Sequence, residues 1–180
     1  MKKKLYESVE IPEGVEIKIE KNEIEVSGKE GTIKKEINLS NIETKREGNK
    51  ILVGGEKITK SEKKMIYTII SHLRNMMKGV QEKYTYEIKV CFNHFPITLD
   101  VSGNEAKIKN FLGEKVPRKA KILDGVEIDV KKDSITLKSI NKEAAGQTAA
   151  NFEAATKIRN RDRRVFQDGL FIINKCGKDI

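Results

Sequence analysis

Four of the chain's seven arginines, Arg159, Arg161, Arg163 and Arg164, fall within six residues, and Lys157 lies two positions ahead of them. A guanidinium is a planar fork of donors that fits two phosphate oxygens and also stacks on a base, so local arginine enrichment points to phosphate contact more strongly than lysine richness does. Cations at a helix C-terminus also complement its dipole, but one or two meet that need and four exceed it. A second cluster, Lys107, Lys109, Lys115, Arg118, Lys119 and Lys121, is opposed within its span only by Glu114. Phe111 and Leu112 interrupt it, as core residues or as platforms for a base; for a lone aromatic in a strand the core is favoured. The residues expected to meet a polyanion are therefore Lys115, Arg118, Lys119, Lys157, Arg159, Arg161, Arg163 and Arg164. Lys2 to Lys4 form a third, smaller cluster and read as a tail.

Groups able to do covalent chemistry are scarce. His72 falls in an amphipathic segment beside Leu73, and His94 sits in Asn93-His94-Phe95-Pro96, which reads as a turn. There is no HExxH, CxxC or GxSxG, and Gly54-Gly55 lacks the lysine and hydroxyl spacing of a phosphate loop. Carboxylates alternate with lysine as on solvated faces. The expectation is a chain that is not an enzyme and takes no metal or cofactor.

Charge narrows the partner class. Lys and Arg number 36 against 27 Asp and Glu, a net charge of +9, and such a surplus attracts polyanions because each neutralised phosphate releases condensed counterions. Lys and Glu in these numbers also mark chains from hot environments, which accounts for many charges but not for a surplus of one sign. Nucleic acid leads, with a protein-interaction module docking acidic partners as the alternative; competition between structured RNA and an unstructured polyanion separates the two. The start Met1-Lys2-Lys3-Lys4 is followed by Leu5 to Ser8 rather than an apolar run, which reads against a signal peptide, and no stretch approaches the roughly 20 apolar residues of a membrane span. Cys91 and Cys176 lie far apart, which fits a reduced cytoplasmic setting.

The elements that must position these groups follow from periodicity. Val15, Ile17, Ile19, Ile24 and Val26 alternate with charged residues around Lys21-Asn22, predicting a hairpin, with further strands near 32–37 and 51–53. From Ser61, Met65, Ile66, Ile69, Ile70, Leu73, Met76, Met77 and Val80 trace one face of a helix, with Gly79 as its stop. The second half repeats the plan. Residues 24–37 align without gaps on 99–112 with six of fourteen identical, among them Val26-Ser27-Gly28 on Val101-Ser102-Gly103, and a second helix is expected near Asn141. A rival match of Gly14-Val15-Glu16-Ile17 to Gly125-Val126-Glu127-Ile128 is discounted. The prediction is an α+β fold of two tandem similar domains, 1–80 and 81–180, each a small antiparallel sheet packed against one helix.

Ala144-Ala145-Gly146-Gln147-Thr148-Ala149-Ala150 in the second helix carries almost no bulk, which lets a backbone approach something closely, whether its own sheet or an RNA strand. This segment from Asn141, followed by Arg159-Asn160-Arg161-Asp162-Arg163-Arg164-Val165-Phe166-Gln167-Asp168-Gly169-Leu170-Phe171-Ile172, resembles the C-terminal signature of the universal ribosomal protein family numbered six in the large subunit. The details are similar to its archaeal and eukaryotic branch, whose eukaryotic members are counted as protein nine. Ile11-Pro12-Glu13-Gly14-Val15 and the Val26-Ser27-Gly28 step match as well. The resemblance implies a structural protein of the ribosome in the cytoplasm, present as a monomer beside neighbouring large-subunit proteins. It implies that the second domain contacts 23S-type rRNA near the sarcin-ricin loop, by the site where translational GTPases dock. Gly146, Gln147 at the helix start and the Arg159 to Gly169 segment would then be the RNA-facing parts. Where the bacterial branch ends Lys-Gly-rich, this chain has Arg-Asp-Arg-Arg and Gln-Asp-Gly, so bacterial contacts do not transfer atom by atom.

Overall fold

The computed structural model describes residues 3–20, 23–37, 42–162 and 164–180; Lys2, the Lys21-Asn22 turn and Arg163 lie outside them. The chain divides into two compact units, Met1–Lys83 and Tyr84–Ile180. In the first, strands β1 (Lys3–Glu10), β2 (Glu16–Glu20), β3 (Glu23–Gly28), β4 (Gly31–Glu36), β5 (Glu43–Glu47) and β6 (Lys50–Ile58) precede helix α1 (Lys60–Gln81). They form two antiparallel sheets, ordered β2-β3-β4 and β1-β6-β5. Lys3 and Lys4 open β1 rather than forming a tail, because β6 offers a pairing edge that runs out to Ile58. The alternation read in the sequence turns Ile17, Ile24 and Val26 inward, and the stripe of α1 from Ile66 to Val80 is buried, while Met65 at its margin is 37 % exposed. Thr59 and Glu62 close a capping box, the Thr59 hydroxyl accepting from the Glu62 N–H and the Glu62 carboxylate from the Thr59 N–H.

Gly79 does not stop this helix, which runs on to Gln81. Packing overrides the local signal: Val80 is fully buried against Gly28, where an added Cβ would lie 2.7 Å from the Val80 side chain, and the Val80 carbonyl accepts from the Glu30 N–H at 2.9 Å. Two more residues place a side chain worth roughly 1.5–3 kcal/mol of burial.

The second unit holds β7 (Tyr84–Cys91), β8 (Thr98–Ser102), β9 (Glu105–Lys109), β10 (Arg118–Lys121), β11 (Glu127–Val130), β12 (Ser134–Ser139), helix α2 (Lys142–Ala155), β13 (Gly169–Lys175) and β14 (Lys178–Asp179). The sheets are β8-β9-β10 and β11-β12-β7-β13-β14. Asn141 caps α2, its side-chain oxygen accepting from the Glu143 and Ala144 N–H groups, so Gly146 and Gln147 lie in the second turn rather than at the start. Ala145, Ala149 and Phe152 of α2 pack on Tyr86, Ile88, Ile135, Leu137 and Leu170.

The expected architecture of two tandem antiparallel α+β units, each with one helix, is what the chain adopts, with a second small sheet in each. The duplication is real but the register expected for it is not. Strand order matches β2-β3-β4 to β8-β9-β10 and β1-β6-β5 to β7-β12-β11. Three equivalent pairs begin 82 residues apart, β2 at Glu16 and β8 at Thr98, β3 at Glu23 and β9 at Glu105, α1 at Lys60 and α2 at Lys142, and the other strands fall near the same offset. The Val-Ser-Gly match instead sets β3–β4 on β8–β9, one strand out of step, because short amphipathic hairpins ending in a small-residue turn look alike. The rival match is also out of step, setting β2 on β11.

Candidate nucleic-acid interface

Three connections of the second unit are tied together at the ends of its strands: the β7–β8 turn (92–97), the β9–β10 loop (110–117) and the long connection from α2 to β13 (156–168). Asn110 donates through Nδ2 to the Pro96 carbonyl at 3.0 Å, and Phe111 turns inward, 1 % exposed. Arg118, at the start of β10, is the cross-brace. Its Nε and Nη2 donate to the two carboxylate oxygens of Glu114 at 2.8 and 2.6 Å, and its Nη1 to the carbonyls of Ala155 and Lys157 at 2.9 and 3.3 Å. The guanidinium lies 4.4 Å from the Phe111 ring centroid. The short helix α2 thus has carbonyls at its C-terminal end satisfied by a cation, and the hydrogen-bonded Arg118 holds the Glu114 carboxyl below its usual range.

Beside this brace runs an open groove of about 460 Å³ lined by Glu114, Arg118, Lys119, Lys157, Arg159 and Arg161, with Leu112 and Ile158 among its apolar walls. Arg118 is matched by Glu114, and Lys119 by Glu105 at 2.9 Å. Lys157, Arg159 and Arg161 make no ion pair among the described residues, although the charge of Arg161 also bears on Glu114, so the groove carries more cations than carboxylates. Lys115 is exposed next to it. Arg164 points outward, its side chain 91 % exposed, with Nε 3.3 Å from Asp162; the Arg164 N–H and guanidinium hold Asp162 below the ordinary carboxylate range.

Five of the ten residues singled out from the sequence are therefore gathered into one groove, and Lys115 adjoins it. Gly146 and Gln147 are elsewhere. A Cβ on Gly146 would stand 3.1 Å from the Tyr86 hydroxyl, so the small residue serves close helix–sheet approach, and Gln147 donates along the helix to Asn151 at 3.0 Å.

Sequence reasoning missed what anchors the Arg159–Gly169 segment. Asp168 is 1 % exposed and accepts three hydrogen bonds from the β7–β8 turn: the Asn93 and His94 N–H groups reach one oxygen at 2.7 and 3.0 Å, and His94 Nδ1 reaches the other at 2.6 Å. Burial pushes the Asp168 carboxyl up, but these donors outweigh it and leave it below its ordinary value. The imidazole stacks on Phe166, centroids 4.9 Å apart, and the Arg161 guanidinium lies 4.8 Å from the same ring. A buried aspartate orienting a histidine is also how a general base is held; here the ring carries an aromatic stack, and no hydroxyl or thiol bonds to it among the described residues. The only hint was a carboxylate between a basic run and the apolar strand Leu170-Phe171-Ile172.

Fold and site together define a duplicated α+β chain with a groove at the loop end of its second unit that five cations and one carboxylate line. The family described as Ribosomal protein L6 matches it twice, over residues 11–83 and 95–169. Large ribosomal subunit protein uL6 of Sulfurisphaera tokodaii is 45 % identical over 172 residues, 95 % of this chain and 92 % of that protein. Those of Methanococcus vannielii and Methanobrevibacter smithii are 41 % and 43 % identical, covering 97 % and 95 % of this chain and 96 % of each relative. The chain belongs to the ribosomal protein L6 family.

Proposed function

We propose that the chain is a structural constituent of the large ribosomal subunit in the cytoplasm, and that its second unit binds 23S-type rRNA through the groove of Lys119, Lys157, Arg159 and Arg161, with exposed Lys115 and Arg164 adding contacts from the same loops. The observation that carries this reading is the convergence of β10 and the α2–β13 connection, distant in sequence, on one surface whose cations outnumber its carboxylates. Arginine forks set on a rigid frame suit phosphates of folded RNA, whose shape rather than base sequence is then recognised. Placement beside the sarcin-ricin loop and the GTPase docking site follows from family resemblance and is part of the proposal. So are contacts with neighbouring ribosomal proteins and the role of fixing RNA tertiary structure rather than catalysing a reaction.

Sedimentation of a cell lysate through sucrose gradients at physiological magnesium and in high salt tests it. The expected result is co-migration with the large subunit and release only under stripping conditions. A chain that stays at the top of both gradients overturns the proposal and favours a free acidic partner.

A further inference from the structure

We propose that Asp168 and His94 are positioning residues for RNA binding, holding the Arg161 guanidinium at the groove through the Phe166 ring. The inference rests on the RNA reading of the groove and adds to it residues that themselves meet no RNA. The connection from α2 to β13 is long and polar, and left to itself would sample many conformations; every arginine fixed on binding then loses rotamer and backbone freedom. The structure contains a device that removes part of that loss beforehand. A buried carboxylate takes three donors from a turn about 75 residues away in sequence, which fixes both the segment and the imidazole plane. The imidazole lies nearly parallel to Phe166, at 19°, and Arg161 rests on the same ring while lining the groove. Arg161 is thus linked through Phe166 and His94 to a buried anchor in the second unit, Asp168. Among the described residues Arg159 and Lys157 have no such ring contact, and Lys157 is held through its backbone, its N–H donating to the Ala154 carbonyl and its carbonyl accepting from Arg118.

The consequence is energetic coupling between a buried acid and a surface cation. The full-length protein is titrated against in vitro transcribed large-subunit rRNA folded in magnesium, using Asp168→Ala, Phe166→Leu, Arg161→Ala and the doubles with Arg161→Ala, with amide exchange of β7 and β12 reporting the folding of the unit. Each single change is expected to weaken binding roughly tenfold, and each double little more than either single, because all act through one guanidinium. Phe166→Leu breaks the stack while leaving the buried acid and its three donors in place, so it tests the link even where Asp168→Ala loosens the fold. If Arg161→Ala weakens binding while Asp168→Ala and Phe166→Leu are neutral or fully additive with it, the positioning role is overturned and the RNA reading stands. If the unsubstituted chain fails to bind the rRNA, both fall together.

Discussion

Replacing Arg118 by Ala separates a phosphate ligand from a structural brace, since the two roles predict losses in different measurements. The bond to the Ala155 carbonyl at 2.9 Å comes from a charged donor to a main-chain oxygen that α2 leaves without a helical partner, an interaction of about 1.5–3 kcal/mol. The longer bond to Lys157 adds little. The two-pronged pair with Glu114 is partly exposed, 29 % and 39 %, and is discounted for solvent to about 0.5–1 kcal/mol; the stack on Phe111 adds about 0.5–1 kcal/mol. Arg118→Ala is therefore expected to destabilise the second unit by about 3 kcal/mol, and Arg118→Lys by about half of that, because an ammonium cannot reach the carboxylate and the carbonyls together. Urea unfolding followed by amide exchange of β12 measures the change. A loss below about 0.5 kcal/mol accompanied by weaker RNA binding refutes the brace and returns Arg118 to the set of phosphate ligands.

Changing Lys157, Arg159 and Arg161 together to Gln should lower the slope of log affinity against log salt by about 2 to 3, at roughly 0.7–0.9 for each phosphate no longer neutralised; filter binding from low to moderate salt reads it, and an unchanged slope removes the groove from the interface. Gly146→Ala should cost about 1 kcal/mol despite alanine's better helix propensity, because the new methyl meets the Tyr86 hydroxyl, and Tyr86→Phe in the same chain should recover most of it; thermal melts of the four chains form the cycle. Asp168 titrates lower in the fold than in an unfolded chain, so its contribution to stability is complete above about pH 4 and is lost as pH falls through the lower folded value. Acid unfolding of wild type against Asp168→Asn should show that component only in wild type.

The sequence carried the architecture because one period dominates each element. In α1 the stripe from Ile66 to Val80 is unambiguous, and in β2–β3 the alternation turns Ile17, Ile24 and Val26 inward. It misplaced the helix end because Gly79 is judged locally while Val80 answers to Gly28, some fifty residues earlier. It misplaced the repeat register because strand equivalence is a property of pairing order, which the identities at Val26-Ser27-Gly28 do not encode. Half of the candidate site was legible for a comparable reason: charge is local, so the arginine run announced itself. Convergence is not local, so neither the Arg118 brace nor the Asp168 anchor could be seen until β10, the 92–97 turn and the α2–β13 connection were set side by side.

Why five of the seven arginines lie on the second copy follows from how its helix ends. In the first unit α1 runs 22 residues with a bulky stripe and passes directly, through Glu82, out of the unit. In the second, α2 has 14 residues and the chain must return to β13 beside β7. Stopping early leaves carbonyls at the end of α2 for Arg118 and creates the connection that bears the arginines. Thr156 fixes the exit, its hydroxyl accepting from the Leu170 N–H at 3.0 Å while donating back to the helix. Two further strands, β13 and β14, have no counterpart among the described residues of the first unit, and reaching them requires the 156–168 span. The extra strands and the shortened helix thus create the connection that bears the arginine run, and a chain in which α2 was extended through Lys157 to Arg161 would align its arginines along a helix and lose both the groove and the aromatic link to Asp168.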